Sequence, residues 1–122
     1  MATSDDIFRI EPITHELSRL LFSHVQQQLP ADTVWVRALL DVRFEECGGF
    51  IMKLRVARTM GEALSLNVPT NISLQLIQLE GARPTGQDRW YGCKLEVTAA
   101  GACEVNFDYD PACSNDPHFF RS

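Results

Sequence analysis

Four cysteines, three histidines and two close carboxylate pairs are the residues of this chain that could do chemistry. Cys47, Cys93, Cys103 and Cys113 show no C-x-x-C spacing, so neither a zinc site nor a thioredoxin-type centre is signalled. His15 and His24 lie nine residues apart on a helical pattern. That spacing is about two and a half turns, which sets them on opposite sides of one helix rather than on a shared metal face. Asp108 and Asp110 alternate on a strand pattern and would share a face, as an acid/base pair or a metal site requires. The pattern places no third ligand beside them. Glu45 and Glu46 fall in a turn. There is no G-x-S-x-G elbow, and Gly48-Gly49 joins two strand patterns instead of leading a strand into a phosphate-binding helix. These residues point to no catalytic, cofactor or metal site, and the expectation is a binding protein that is not an enzyme.

The layout of charge says more. The chain has 122 residues, with 11 Lys and Arg against 16 Asp and Glu, for a net charge of −5. An acidic chain repels phosphate, which excludes nucleic-acid binding by bulk charge. From Glu96 to Ser122 it carries Glu96, Glu104, Asp108, Asp110 and Asp116 against Arg121 alone, a net −4 in 27 residues. Alternation puts Glu96, Glu104, Asn106 and Asp108 on the outward face of one hairpin. Like charges on neighbouring strands repel by up to roughly 1 kcal/mol where directly opposed. A basic partner is one reason to keep them. Residues 34–58 carry the other sign, with Arg37, Arg43, Lys53, Arg55 and Arg58 against Asp41, Glu45 and Glu46, a net +2. Trp35 falls among those arginines. It is either an exposed binding anchor or a side chain covered by a second layer.

The elements that must position these residues follow from periodicity. Pro12 sits where a helix can begin, and Ile13, Leu17, Leu20, Leu21 and Val25 make one apolar stripe, which predicts a helix over about 12–28 that Pro30 stops. Val34, Val36, Ala38, Leu40, Val42 and Phe44 alternate with Trp35, Arg37, Leu39, Asp41 and Arg43, and Phe50, Met52, Leu54 and Val56 against Lys53 and Arg55 resume the pattern beyond a glycine turn, so the pair reads as a long hairpin. Leu64, Leu66 and Val68 predict a short third strand that ends at Pro69. Thr70 or Asn71 can then cap a helix over 72–79, where Ile72, Leu76 and Leu79 fit one helical face although Leu74 and Leu76 also fit strand alternation. Gly81 to Asp88 reads as a loop. Tyr91, Cys93, Leu95 and Val97 form a second hairpin with Cys103, Val105, Phe107 and Tyr109 across a turn at Gly101. If Val97 faces Cys103, Cys93 faces Phe107, and a disulfide between the two cysteines is hard to close. All four cysteines read as free thiols.

The order α-β-β-β-α-β-β implies an α+β fold, an antiparallel sheet of about five strands with two helices packed on one face. At 45 % hydrophobic residues, the chain can bury a core of its own. Residues 1–111 read as a single domain and 112–122 as a loose tail in which Phe119-Phe120 could dock locally. The N-terminus lacks the basic start and apolar run of a signal peptide, and no apolar stretch approaches the ~18 residues of a membrane span. The expected location is the cytoplasm, with no membrane partner.

The final hairpin carries a resemblance. Arg89-Trp90 enters it, Gly101 turns it and Val105-Asn106-Phe107-Asp108-Tyr109-Asp110 closes it. In this it resembles the YezG-like bacterial immunity-protein family, whose members have an N-terminal helix, hairpin strands, a later helix and a last hairpin. The element order agrees over about residues 12–111, and the motif over about 89–111. The chain is shorter than typical members, chiefly around the second helix, and its cysteine-bearing tail is outside the family pattern. The resemblance implies an antitoxin that neutralises a cognate bacterial toxin, often a nuclease, by binding it. It carries over no catalytic residue. Phe107 and Tyr109 match motif positions that look like core, and Asp108 matches one that faces out.

Three functional expectations follow. The first is an immunity protein in bacterial competition, such as contact-dependent inhibition. Its acidic face would occlude the basic cleft of a nuclease toxin through Glu96, Glu104, Asn106, Asp108 and Asp110, with Trp35 as a further contact. The alternatives are a secretion chaperone or adaptor, and a small cysteine or carboxylate enzyme.

Overall fold

The computed structural model of the protein describes residues 4–45, 49–83 and 89–110. The turn residues 46–48 with Cys47, part of the loop before Arg89, and the tail with Cys113, Asp116, His118 and Phe119-Phe120 lie outside the described residues.

Apolar residues four apart on a helix stack on one side of it. Leu17, Leu21 and Val25 do this on α1 (Ser4–Gln28) and are buried. The helix starts earlier than the proline suggests, and Pro12 lies inside it. A proline removes one N–H from the ladder and crowds the turn before it. The helix carries that loss because its later turns are held by packing. His24 Nε2 lies 2.9 Å from the Asn67 carbonyl oxygen, which ties α1 to the chain ahead of α2 (Thr70–Gly81). On α2, Ile72, Leu76 and Leu79 are the buried stripe. Its N-cap is Pro69, with no side-chain cap from Thr70 or Asn71. The Pro69 carbonyl itself accepts from the Ile72 and Ser73 N–H groups at 3.2 and 3.1 Å.

Alternating strands need a layer to cover their apolar side, and the two helices supply it on one face. The strands are β1 (Trp35–Phe44), β2 (Phe50–Arg58), β3 (Leu64–Leu66), β4 (Gly92–Thr98) and β5 (Cys103–Asp108). They form one antiparallel sheet in the order β3-β2-β1-β4-β5. Ala38, Leu40, Val42 and Phe44 of β1 meet Leu54 and Val56 of β2 and Cys93, Leu95 and Val97 of β4 in the core beneath the helices. The fold is therefore the α+β arrangement that the periodicity implies. No helix among the described residues is long and apolar enough to cross a membrane.

One break in the alternation matters. The β1–β2 register shifts between Trp35 and Arg37, a bulge that inserts a residue and flips the faces on either side of it. Trp35 therefore turns inward and is 6 % exposed, while Val34 and Val36, expected in the core, are 62 % and 46 % exposed. The Trp35 ring packs on Phe22 with centroids 5.8 Å apart, and its indole N–H donates to Gln26 Oε1 at 3.4 Å. The expectation of an exposed Trp35 anchor is corrected: the helix layer covers it.

Candidate partner-binding face

The β4–β5 hairpin is positioned from below by aromatic packing. Trp90, 2 % exposed, stacks on Phe44 at 5.1 Å and Phe107 at 4.7 Å between centroids. The Arg83 guanidinium lies 4.6 Å from the Phe44 ring centroid and 5.6 Å from that of Trp90, and Arg83 Nε donates to the Trp90 carbonyl at 2.9 Å. Desolvation, and then the charge of Arg89, lower the Arg83 pKa. Trp90 and Phe107, the hydrophobic part of the motif, thus serve the core. Tyr109 does not join them. β5 ends at Asp108, and Tyr109 is 55 % exposed.

With Cys93 and Leu95 held inward, their neighbours must face the open side of the sheet. Glu96 stands directly opposite Glu104, Lys94 opposite Asn106, and Gly92 opposite Asp108. Glu104, Asn106 and Asp108 are exposed, and Glu96 is half-buried. Across the sheet, Glu96 pairs in register with Leu39, and Leu39 with Arg55. One row therefore runs Arg55, Leu39, Glu96, Glu104, from basic to acidic. Arg37 reaches Glu96 at 3.6 Å, an exposed contact that offsets part of the repulsion between the paired glutamates. Arg43 Nε donates to Asp41 Oδ1 at 3.2 Å, so β1 is locally neutral between the two halves. Asp110 is not on the strand with Asp108. It lies past the strand end, and its N–H donates to Asp108 Oδ1 at 3.0 Å, a turn that closes β5. Of the six expected contact residues, the fold brings Glu96, Glu104, Asn106 and Asp108 onto one face, puts Asp110 beside it and buries Trp35.

The thiols have separate environments. Burial pushes the Cys93 thiol up to about 12, with the charge of Asp41 adding to it, so this sulfur is a protonated core group at neutral pH. Cys103 is free and exposed, and it faces Val97, as the register argument expects. Among the described residues, no group of three or more His, Cys, Asp or Glu side chains could hold a metal ion.

Sequence reasoning missed a groove of about 280 Å³ between α1 and the turn of the hairpin, lined by His15, Ser18, Arg19, Phe22, Val97 and Cys103 among others. Ser18 and Ser23 on α1, and the turn at Gly101, hold no local signal of it, because its walls come from elements about 80 residues apart in the chain. Arg19 on its rim is already paired with Glu16, its Nε donating to Oε2 at 3.1 Å. A second groove of about 260 Å³ lies at the same turn, with Glu96, Thr98 and Glu104 in its wall. Neither the models of known protein families nor the curated proteins give a match to this chain.

Proposed function

We propose that this protein is an immunity protein that binds a cognate toxin, a basic nuclease domain, and neutralises it in the cytoplasm by occlusion. The observation that carries this proposal is the directly opposed Glu96–Glu104 pair on the open face of the sheet, Glu104 exposed and Glu96 half-buried beside Arg37, with Asp108 on the same strand face. A sheet that held no partner would fold more easily with a neutral or mixed pair there. The opposite half of the same face is basic at Lys53 and Arg55, so the acidic half is a local patch and not a uniform coat. Such a patch speeds association with a basic surface and selects against acidic ones. The resemblance of residues 89–111 to the YezG-like family supports the choice of protein class.

In this proposal the nuclease grips phosphate with a cluster of Lys and Arg, and the acidic hairpin face takes the place of the nucleic acid. The immunity protein has no catalytic role and needs no cofactor, metal, membrane or direct nucleic-acid contact. The test is survival of cells expressing the proposed toxin, sought as a basic nuclease domain encoded by a neighbouring gene. Wild-type protein protects them, and the Glu104→Lys, Asp108→Lys double variant does not, although its melting curve shows it folded. Equal protection by both proteins sinks the acidic-face mechanism. A pulldown that recovers an unfolded effector segment instead of a folded toxin domain favours a secretion chaperone or adaptor.

A further inference from the structure

β5 is the last strand of the sheet, and among the described residues no strand lies on its other side. Its backbone groups divide cleanly between the two sides. The Thr98 N–H donates to the Ala102 carbonyl at 2.8 Å, and the Tyr91 N–H to the Asp108 carbonyl at 2.7 Å. Even-numbered residues therefore turn their N–H and C=O toward β4, and Cys103, Val105 and Phe107 turn theirs to the outer edge. The strand holds no proline, and its pairing with β4 shows no register shift. Two common ways of blunting an edge are thus missing.

The helix layer also thins out over this strand. Cys93, Leu95 and Val97 of β4 are buried, whereas Val105 and Phe107 are half-buried and Cys103 is exposed. The groove beside Cys103, walled by Phe22 and Val97, continues that uncovered side. On the opposite face of the same strand stand Glu104, Asn106 and Asp108.

A second copy of the chain fits this edge badly. Antiparallel self-pairing that keeps both faces in register must set even-numbered residues against even-numbered ones. Registers that set Glu104 against Glu104 or against Asp108 then bring acid against acid, and setting Glu104 against Asn106 gains no opposite-charge pair. A basic strand has the opposite relation.

We infer that the outer edge of β5 takes up an extended strand of a basic protein partner, carrying Lys or Arg at positions that neighbour Glu104 and Asp108 and aliphatic side chains between them. Main-chain bonds to Cys103, Val105 and Phe107 hold the strand. Its aliphatic side chains cover Val105 and Phe107, and one of them enters the groove beside Cys103. The inference rests on the immunity reading, since it names how the basic toxin would be gripped.

The probe is a capped heptapeptide alternating lysine and valine, titrated into the isotope-labelled full chain and followed by amide shifts and hydrogen exchange. The expected result is saturable shifts along β5 and slowed exchange at the Cys103, Val105 and Phe107 amides. The glutamate–valine counterpart binds at least tenfold more weakly. Val105→Pro deletes an N–H that points away from β4, so it weakens binding at least tenfold. Should that variant fail to fold, N-methylating alternate peptide residues removes the same bonds without altering the protein. Methylation on one edge of the peptide then abolishes binding, and methylation on the other leaves it within twofold.

Equal binding of the acidic peptide, shifts confined to α2, or no shift at millimolar peptide overturns the inference. So does sedimentation of the free protein as a dimer that Val105→Pro dissociates. Failure of the peptide with intact toxin neutralisation removes this inference alone. Peptide binding at β5 with no neutralisation supports the edge and removes the immunity reading.

Discussion

Replacing Trp90 by alanine tests whether the tryptophan that opens the final hairpin is a packing residue or a binding anchor. The ring is 2 % exposed and has two aromatic neighbours, Phe44 at 5.1 Å and Phe107 at 4.7 Å. Truncating a buried tryptophan costs about 3–5 kcal/mol through lost burial and the cavity left behind. Each aromatic pair is worth roughly 0.5–1.5 kcal/mol beyond its area, and part of that is already inside the mutational figure. We therefore expect about 4 kcal/mol. For a chain of 122 residues, 1 kcal/mol corresponds to about 4 °C in Tm. Trp90→Ala should then melt roughly 16 °C below wild type, followed by far-UV circular dichroism at neutral pH. Trp90→Phe keeps the stack with Phe44 and should lose less than half as much. A fall of less than about 4 °C for the alanine variant would refute the core assignment.

Two further outcomes are expected. The Cys93 pKa is raised from 9.0 to about 12, so the folded state favours the neutral thiol. The stabilising contribution of that thiol is fully present below the ordinary value and is lost as pH rises from about 9 through 12. Cys93→Ala should flatten this alkaline fall in denaturant stability, and in the native wild-type protein a thiol reagent at pH 8 should label Cys103 and spare Cys93. Glu104→Lys turns a like-charge cross-strand pair into an opposite-charge one, which should raise stability by roughly 0.5–1 kcal/mol at low salt, about 2–4 °C in Tm. Under the proposed function the same change should weaken binding of the toxin, so stability and affinity move in opposite directions.

How far the residues reveal the fold depends on whether the deciding interaction is local. Alternation along Tyr91–Val97 and Cys103–Phe107 is a period-two signal with one turn between, and it leads to the register in which Cys93 faces Phe107. Residues 72–79 were legible only in part, since Leu74 and Leu76 fit strand alternation as Ile72, Leu76 and Leu79 fit a helix, and the stop at Pro69 favours the helix that is found. The bulge at Val36 was not. Apolar Val34 and Val36 fit the inward phase as well as Trp35 does, and only packing against Phe22 and Gln26 selects the larger ring. Pro12 misled in the same way, since continuation of a helix through a proline is decided by tertiary packing and not by the proline itself. In the candidate face, Glu96, Glu104, Asn106 and Asp108 were readable as a set because one strand parity carries them. Asp110 shares that parity, but a local turn takes it off the strand. The edge of β5, which no other described strand pairs, depends on where α1 lies, and no local pattern encodes that.

The most direct test of the proposed function is a calorimetric titration of the proposed toxin, sought as a basic nuclease domain encoded by a neighbouring gene, using wild-type protein and the Glu104→Lys, Asp108→Lys double variant at two salt concentrations. The acidic-face mechanism predicts at least a hundredfold loss of affinity in the variant, and a wild-type affinity that falls steeply with salt. Equal affinity for both proteins, with no salt dependence, would contradict it.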